Sequence, residues 1–519
     1  MTAHAANHAS GERTVSDAKP AVPGTPIQGE IVLPKLSVSL TMPDTPPAEP
    51  ALKPEPVTTP HTISIGERSL AYHATAGLLT LRDDDGKERA RLFHTAYVLD
   101  GVEDPATRPV LFAFNGGPGS SSVWLHMGAW GPRRVVLGPD GEQPEPPPRL
   151  TDNAETLLDA ADLVFIDPVG TGYSKPAEGV EAKEFHDVEG DVESVGRFIA
   201  QWLTVNRRWA SPIFVGGESY GTMRSAGLAA LLQEKHGLYL SGIVLVSVVL
   251  NMGTIRFAPG NDLPYVLFLP SYAATAWYHG ALGAAQQARP LRELLDEVEQ
   301  FAAEEYSVAL LRGDRLDPKT YGAVLRKLGR FTGLSPEYLD RSHLRVPMGR
   351  FNKELLRAAG RTVGRLDSRY RGIDRDNVGE SYEYDPAGTA LHGAFSSALA
   401  HYLRTELAYE ADVRYMVMAE LWDKWSYGDF QNQYLDFSER LRGAMTRNPA
   451  LKVFVANGYY DLATPYFATE YTFDHLSLDA ALRDHVKMAY YEAGHMMYVK
   501  DSERERMAAD IREFVGGVG

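Results

Sequence analysis

Ser219, Asp461 and His495 have the residue types, the chain order and the settings that nucleophilic acyl chemistry requires. A serine hydroxyl is a weak nucleophile. It needs a histidine to take its proton and a carboxylate to hold that imidazole in the right tautomer. Ser219 stands in Phe214-Val-Gly-Gly-Glu-Ser-Tyr-Gly221, after a short apolar run at 212–215 and before a helical pattern at 222–232. Glycines at 217 and 221 suit a serine on a sharp strand-to-helix turn, where a β-carbon on either side would strike the adjoining element. Asp461 ends Asn457-Gly-Tyr-Tyr-Asp461, just past a strand-like run at 451–456. His495 lies in Glu492-Ala-Gly-His495, just past another at 486–491. Each has a plainer reading by itself: a turn serine, a turn-forming aspartate, one of 15 histidines. Three such residues, each beyond a strand end, argue against coincidence.

The elements that must position them form an alternating series. Apolar runs at 109–114, 161–167, 212–215, 240–250, 451–456 and 486–491 read as strands. Residues 187–206 place Val188, Val192, Val195, Ile199, Trp202 and Leu203 on one helical face, and 502–515 read as a closing helix. Strands alternating with helices predict a mostly parallel sheet covered on both sides. Shorter alternating runs between 61 and 99, around the turn Asp83-Asp-Asp-Gly86, predict antiparallel strands opening that sheet. The run at 109–114 empties into Asn115-Gly-Gly-Pro-Gly-Ser-Ser-Ser122, whose glycines let main-chain N–H groups approach a ligand. The nucleophile turn, this loop and the order serine, aspartate, histidine predict an α/β-hydrolase fold. In that fold one oxyanion donor comes from the loop and the other from the residue after the nucleophile, here the amides of Gly117 and Tyr220.

Taken together, Asn115-Gly-Gly-Pro-Gly119, Asp167-Pro-Val-Gly-Thr-Gly-Tyr-Ser174, Gly217-Glu-Ser-Tyr-Gly221, Asn457-Gly-Tyr-Tyr-Asp461 and Gly494-His-Met496 resemble the serine carboxypeptidase family. The resemblance runs from about 109 to 515, with a much weaker middle. It implies that Asn115, Gly116 and Glu218 bind the C-terminal carboxylate of a peptide, and that the loop 167–174 walls the pocket for the residue before the scissile bond. The chain departs from the pattern twice. Where the resemblance implies a second glutamate, the segment Gly128-Ala-Trp-Gly-Pro132 has Ala129, and Ser120 stands where secreted members carry a disulfide cysteine. Without a like-charged neighbour Glu218 is expected to ionise more readily, weakening carboxylate binding at neutral pH, unless burial beside Asn115 keeps it protonated.

The 519 residues, 44% hydrophobic and 23% charged, suffice for a large globular core. A formal net charge of −16 offers no basic field, so neither nucleic acid nor an anionic membrane surface is expected as a partner. The chain has no cysteine, no apolar run of signal-peptide length near its start and none of membrane-span length, from which a cytoplasmic location is expected. Residues 1–58, rich in Pro, Ala and Thr, read as a flexible tail in which Ile31-Val-Leu-Pro-Lys-Leu36 is a possible docking segment. The hydrolase core is expected over 59–250 and 450–519. Between them 251–449 loses its strand signal, and amphipathic runs at 291–311, 321–331, 336–341, 352–359 and 390–408 predict a helical lid. Its aromatic runs at 265–272 and 277–278 could line a substrate cleft or simply pack the lid on the body. Gly364-Arg-Leu-Asp-Ser-Arg-Tyr-Arg371 reads as surface ion pairing, with Arg365 or Arg369 as candidates to meet an anionic substrate.

The expected reaction is peptide hydrolysis through an acyl-enzyme on Ser219, with no metal and no organic cofactor. An esterase or an acyltransferase would use the same three residues, and a non-catalytic binding protein would be expected to have lost one of them. The sequence leaves oligomeric state open.

Overall fold

The structure is a computed structural model that describes residues 55–421, 423–430 and 432–518. The expected tail therefore lies almost wholly outside the described residues, its candidate docking segment included. Among the described residues nine strands form the central sheet: β1 Val57–Ile65, β2 Arg68–Arg82, β3 Glu88–Leu99, β4 Val110–Phe114, β5 Asp162–Ile166, β6 Ile213–Glu218, β7 Gly242–Val246, β8 Lys452–Gly458 and β9 Val486–Tyr491. A two-residue strand, Lys175–Pro176, pairs with β3 as a tenth. The order across the sheet is β1-β2-β3-β5-β4-β6-β7-β8-β9. The first three strands are antiparallel, and β3 meets β5 antiparallel. From β5 to β9 every pairing is parallel. This is the α/β-hydrolase architecture, antiparallel opening strands included.

Alternation along each strand divides the core between two faces of the sheet. Phe112, Val164, Val215, Ile243 and Val455 face one cluster, completed by helices α1 Val188–Val205 and α2 Tyr220–His236. Phe165, Phe214, Val244 and Phe454 face the other. The 3.6-residue stripe of α1 supplies Val192, Val195, Ile199 and Trp202 to the first face, and Asp187 caps its start by accepting from the Gly190 amide at 2.7 Å. Burying each of these large side chains contributes about 1.5–3 kcal/mol.

The residues between 251 and 449 are mostly helical but divide in their packing. Helices α3 Leu263–Tyr278, α4 Leu291–Phe301 and α5 Pro318–Thr332 share a third core with Tyr460, Leu462 and Tyr466. Helix α6, Pro386–Thr405, instead buries Leu391, Phe395, Leu399 and Tyr402 in the core beneath the sheet. Helix α7, Ser438–Arg447, buries Leu441, Ala444 and Met445 beside α1 and α2. The closing helix α8, Asp501–Gly516, covers the same face as α6 through Ile511 and Phe514. Among the described residues no helix is long and apolar enough to cross a membrane.

Candidate active site

The parallel strands bring their C-terminal ends to one edge. Phe114 pairs with Gly217, and Val246 lies opposite both Glu218 and Ala456, so the chain leaves β4, β6 and β8 at one edge, with β7 between the last two. Ser219 follows β6 directly and has φ 61° and ψ −128°, a conformation that costs a non-glycine residue about 1–3 kcal/mol. Its amide donates to the Val246 carbonyl at 2.9 Å, which pins the strained residue to the neighbouring strand.

Asp461 is fully buried beyond β8, and every hydrogen bond it makes fixes its direction. One oxygen accepts the Ala463 and Thr464 amides at 2.7 and 3.0 Å. The other accepts the Thr464 hydroxyl and meets His495 Nδ1, each at 2.7 Å. His495 lies beyond β9, with its carbonyl accepting from the Ser247 hydroxyl at 2.6 Å. Burial works against charging this imidazole, but the Asp461 carboxylate and, more weakly, Glu218 more than offset it, and the net pKa is raised.

The Asn115 loop reaches the same edge. A β-carbon on Gly116 would lie 2.5 Å from the Tyr220 nitrogen, so only glycine lets the loop lie this close to the start of α2. Tyr220 is the first helical residue and has no intrahelical acceptor. Arg224, one turn on, is buried; it pairs with Asp191 of α1 at 2.9 Å and donates to the Asn115 carbonyl at 2.8 Å. Asn115 accepts the Leu125 amide on Oδ1, and its amide group faces Glu218 and Tyr498, where it favours their ionised forms.

Glu218 is buried, and burial pushes its pKa up to about 7, against the opposing pull of His495, the Tyr498 hydroxyl and the Asn115 amide. That hydroxyl donates to Glu218 Oε2 at 2.6 Å. The Tyr498 ring lies against the main chain of Gly128, where a β-carbon would come within 2.7 Å of Cε2. Ala129 is buried in the adjoining helical turn, Leu125–Trp130. Of the two outcomes left open for Glu218, burial favours the one in which it keeps its proton. Tyr498 was not singled out in the sequence, where it reads as one more aromatic after His495.

Asn115, Gly116, Gly117, Glu218, Ser219 and His495 all line one cavity of about 710 Å³. Tyr220 and Asp461 stand behind it as buried residues. The far wall comes from α6, through Gly388, Thr389 and His392, and from Met418, Ala419, Glu420 and Leu421. The latter stretch is a strap held to the glycine loop, with the Ala419 amide donating to the Gly119 carbonyl at 2.7 Å and the Ser121 amide to Val417 at 3.0 Å.

Two expectations about this region are corrected, and one left open is decided. The loop 167–174 contributes no lining residue. Instead Asp167, buried and pushed up to about 6 by its burial, accepts from Ser122 at 2.9 Å and from Tyr415 at 2.6 Å, joining the glycine loop to the strap. The aromatic runs of α3 do not line the cavity either: Tyr272 stacks on Phe351 at 4.0 Å inside the third core. Finally, the charged run 364–371 is no surface patch. Asp367 and Arg369 are 3% and 7% exposed and pair at 2.6 Å. The main chain around them and the Asp367 carboxylate brace the loops that carry Asp461 and His495. Leu366 accepts the His495 amide at 2.6 Å, Arg365 accepts the Leu462 amide at 3.0 Å, and Asp367 accepts the Gly494 amide at 3.1 Å.

Residues 66–258 match the sequence model of the serine carboxypeptidase family. Serine carboxypeptidase-like 34 of Arabidopsis thaliana is 26% identical over 195 residues, covering 36% of this chain and 37% of that protein. Serine carboxypeptidase-like 45 of the same plant is 29% identical over 198 residues, covering 36% and 39%. The matched region spans well under half the length of these relatives. Among solved structures, KEX1(delta)p, a prohormone-processing carboxypeptidase from Saccharomyces cerevisiae, aligns over 86% of this chain and 91% of that one with a TM-score of 0.52. At 16% identity this likeness speaks for the fold alone. On an α/β-hydrolase scaffold, then, residues 66–258 of the chain are similar in sequence to the serine carboxypeptidase family.

Proposed function

We propose that the protein is a serine carboxypeptidase that removes C-terminal residues from peptides. Its His495 takes the proton of Ser219, whose oxygen attacks the peptide carbonyl, while Asp461 holds the imidazole and balances its charge. The amides of Gly117 and Tyr220 receive the oxyanion. His495 then protonates the leaving amine, and water repeats the sequence on the acyl-enzyme.

The observation that carries the C-terminal specificity is that Asn115 and Glu218 stand together on the wall of the Ser219 cavity, where they would hold the terminal carboxylate of a peptide. Glu218, protonated up to about pH 7, supplies a second donor to the same group. The proposal includes the cytoplasm as compartment, supported by a cysteine-free sequence that needs no oxidising environment.

The test is mass spectrometry of a peptide library after incubation with the wild type and with Ser219→Ala. Peptides shortened from the C-terminus are expected, with turnover about three or more orders of magnitude lower in the variant. Shortening from the N-terminus, acyl transfer to an added alcohol in preference to water, or near-normal turnover by the variant would refute the reading.

A further inference from the structure

Arg365 lines the cavity that holds Ser219 and His495. Its main chain is fixed on both sides. The Arg365 and Leu366 amides donate to the Asp385 carboxylate at 3.2 and 3.0 Å, and the Arg365 carbonyl accepts from Leu462, one residue past Asp461. The guanidinium, by contrast, has no carboxylate or carbonyl partner among the described residues. Its neighbour in sequence shows the contrast: Arg369 is fully occupied by Asp367. The positive charge of Arg365 reaches His495, whose charging it opposes.

The anionic groups facing it from the surrounding elements are already engaged or in water. Asp385 accepts three backbone amides, those of Arg365, Leu366 and Ala387, at the start of α6. Glu218 holds Tyr498. Glu420, on the strap, is exposed, where solvent screens its pull. A half-buried arginine with five N–H donors in a rigid fork is suited to a planar carboxylate.

From this we infer that Arg365 is a specificity residue that recognises a second carboxylate of the substrate, an aspartate or glutamate side chain in the C-terminal dipeptide. The inference rests on the carboxypeptidase reading for the placement of that dipeptide, since Asn115 and Glu218 take its terminal carboxylate. It adds that acidic peptides are preferred over their uncharged isosteres by an enzyme that itself carries a net charge of −16.

Calorimetric binding to Ser219→Ala tests this without turnover, using acetyl-Ala-Glu, acetyl-Ala-Gln, acetyl-Glu-Ala and acetyl-Gln-Ala. In the Arg365 background the acid is expected to bind about 10- to 100-fold more tightly than its amide isostere at one of the two positions. Adding Arg365→Gln is expected to reduce that ratio to about 1, and Arg365→Lys, which keeps the charge but loses the fork, to leave an intermediate ratio. Equal binding of acid and amide at both positions, or a preference that survives Arg365→Gln, would overturn the inference. Circular dichroism of each variant shows whether the fold is kept; the free side chain makes loss of fold an unexpected result, and Arg365→Lys carries the test if Arg365→Gln unfolds. Turnover is read separately. Arg365-dependent binding in an enzyme that shortens no peptide would uphold this inference and refute hydrolysis.

Discussion

Replacing Glu218 with glutamine is expected to make the protein more stable at alkaline pH and to leave it nearly unchanged at acid pH. The folded state holds the Glu218 proton up to about pH 7, whereas an ordinary glutamate releases it at 4.5. Between these values the folded protein binds the extra proton, so stability falls as pH rises. The contribution is fully present below pH 4.5 and is lost once pH passes about 7. A gap of about 2.5 pH units corresponds to about 3 kcal/mol. Glutamine has the same shape and no charge. Its carbonyl can accept the Tyr498 hydroxyl, and its amide N–H can face the cavity in place of the carboxylic proton. Urea denaturation of wild type and Glu218→Gln from pH 4 to 9 should therefore give a difference near zero at the acid end, growing to about 3 kcal/mol in favour of the variant above pH 8. The same substitution should preserve kcat/KM for a free-acid peptide at pH 8–9, where the wild type loses it. A stability difference that does not change with pH would refute the argument, because burial would then not be holding a proton on Glu218.

Tyr498→Phe removes the donor that favours the ionised form of Glu218, so the alkaline limb of KM for free-acid peptides should move up by about one to two pH units, with ester hydrolysis little affected. An unmoved limb would mean that Tyr498 only fills space. For a neutral ester, kcat/KM in the wild type should rise with pH through the raised pKa of His495 and level off, whereas a free-acid peptide should give a bell with its maximum near pH 7, as Glu218 then loses its proton. Coincident profiles for the two substrates would contradict this. Asp367→Ala leaves Arg369 buried without its partner and strips the Gly494 amide of an acceptor; thermal and urea denaturation should show a loss of about 3–5 kcal/mol.

What the sequence makes legible here is local. Ser219, Asp461 and His495 stand just past strands whose apolar runs are plain in the chain, and the parallel sheet brings those ends together. Helix α1 is legible to within a residue or two because one stripe and one capping aspartate define it. The contacts that escape a sequence reading are those between distant parts of the chain. Nothing near Tyr498 indicates that it meets Glu218, 280 residues earlier. The run 364–371 has the composition of a solvated surface, and only the placement of the Asp461 and His495 loops turns its aspartate and arginine inward. The helical pattern at 390–408 is real, yet periodicity alone does not say which core its apolar face joins, and α6 joins the one beneath the sheet. The direction of the Glu218 pKa stays undecided in the sequence for the same reason. Depth of burial, which outweighs the absence of a second acid, is a property of the assembled loops.

The hydrogen bond from His495 to Leu366 bears on how chains of this fold can be recombined. A cap exchanged between relatives as a single block, cut near 251 and 449, would carry away Arg365, Leu366 and Asp367, the acceptors for the Leu462, His495 and Gly494 amides. A chimera built that way would receive a new roof and lose the floor under its own histidine. Crossovers that leave 364–371 and α6 with the parent, and exchange only the bundle of α3, α4 and α5, respect the boundary that the packing draws.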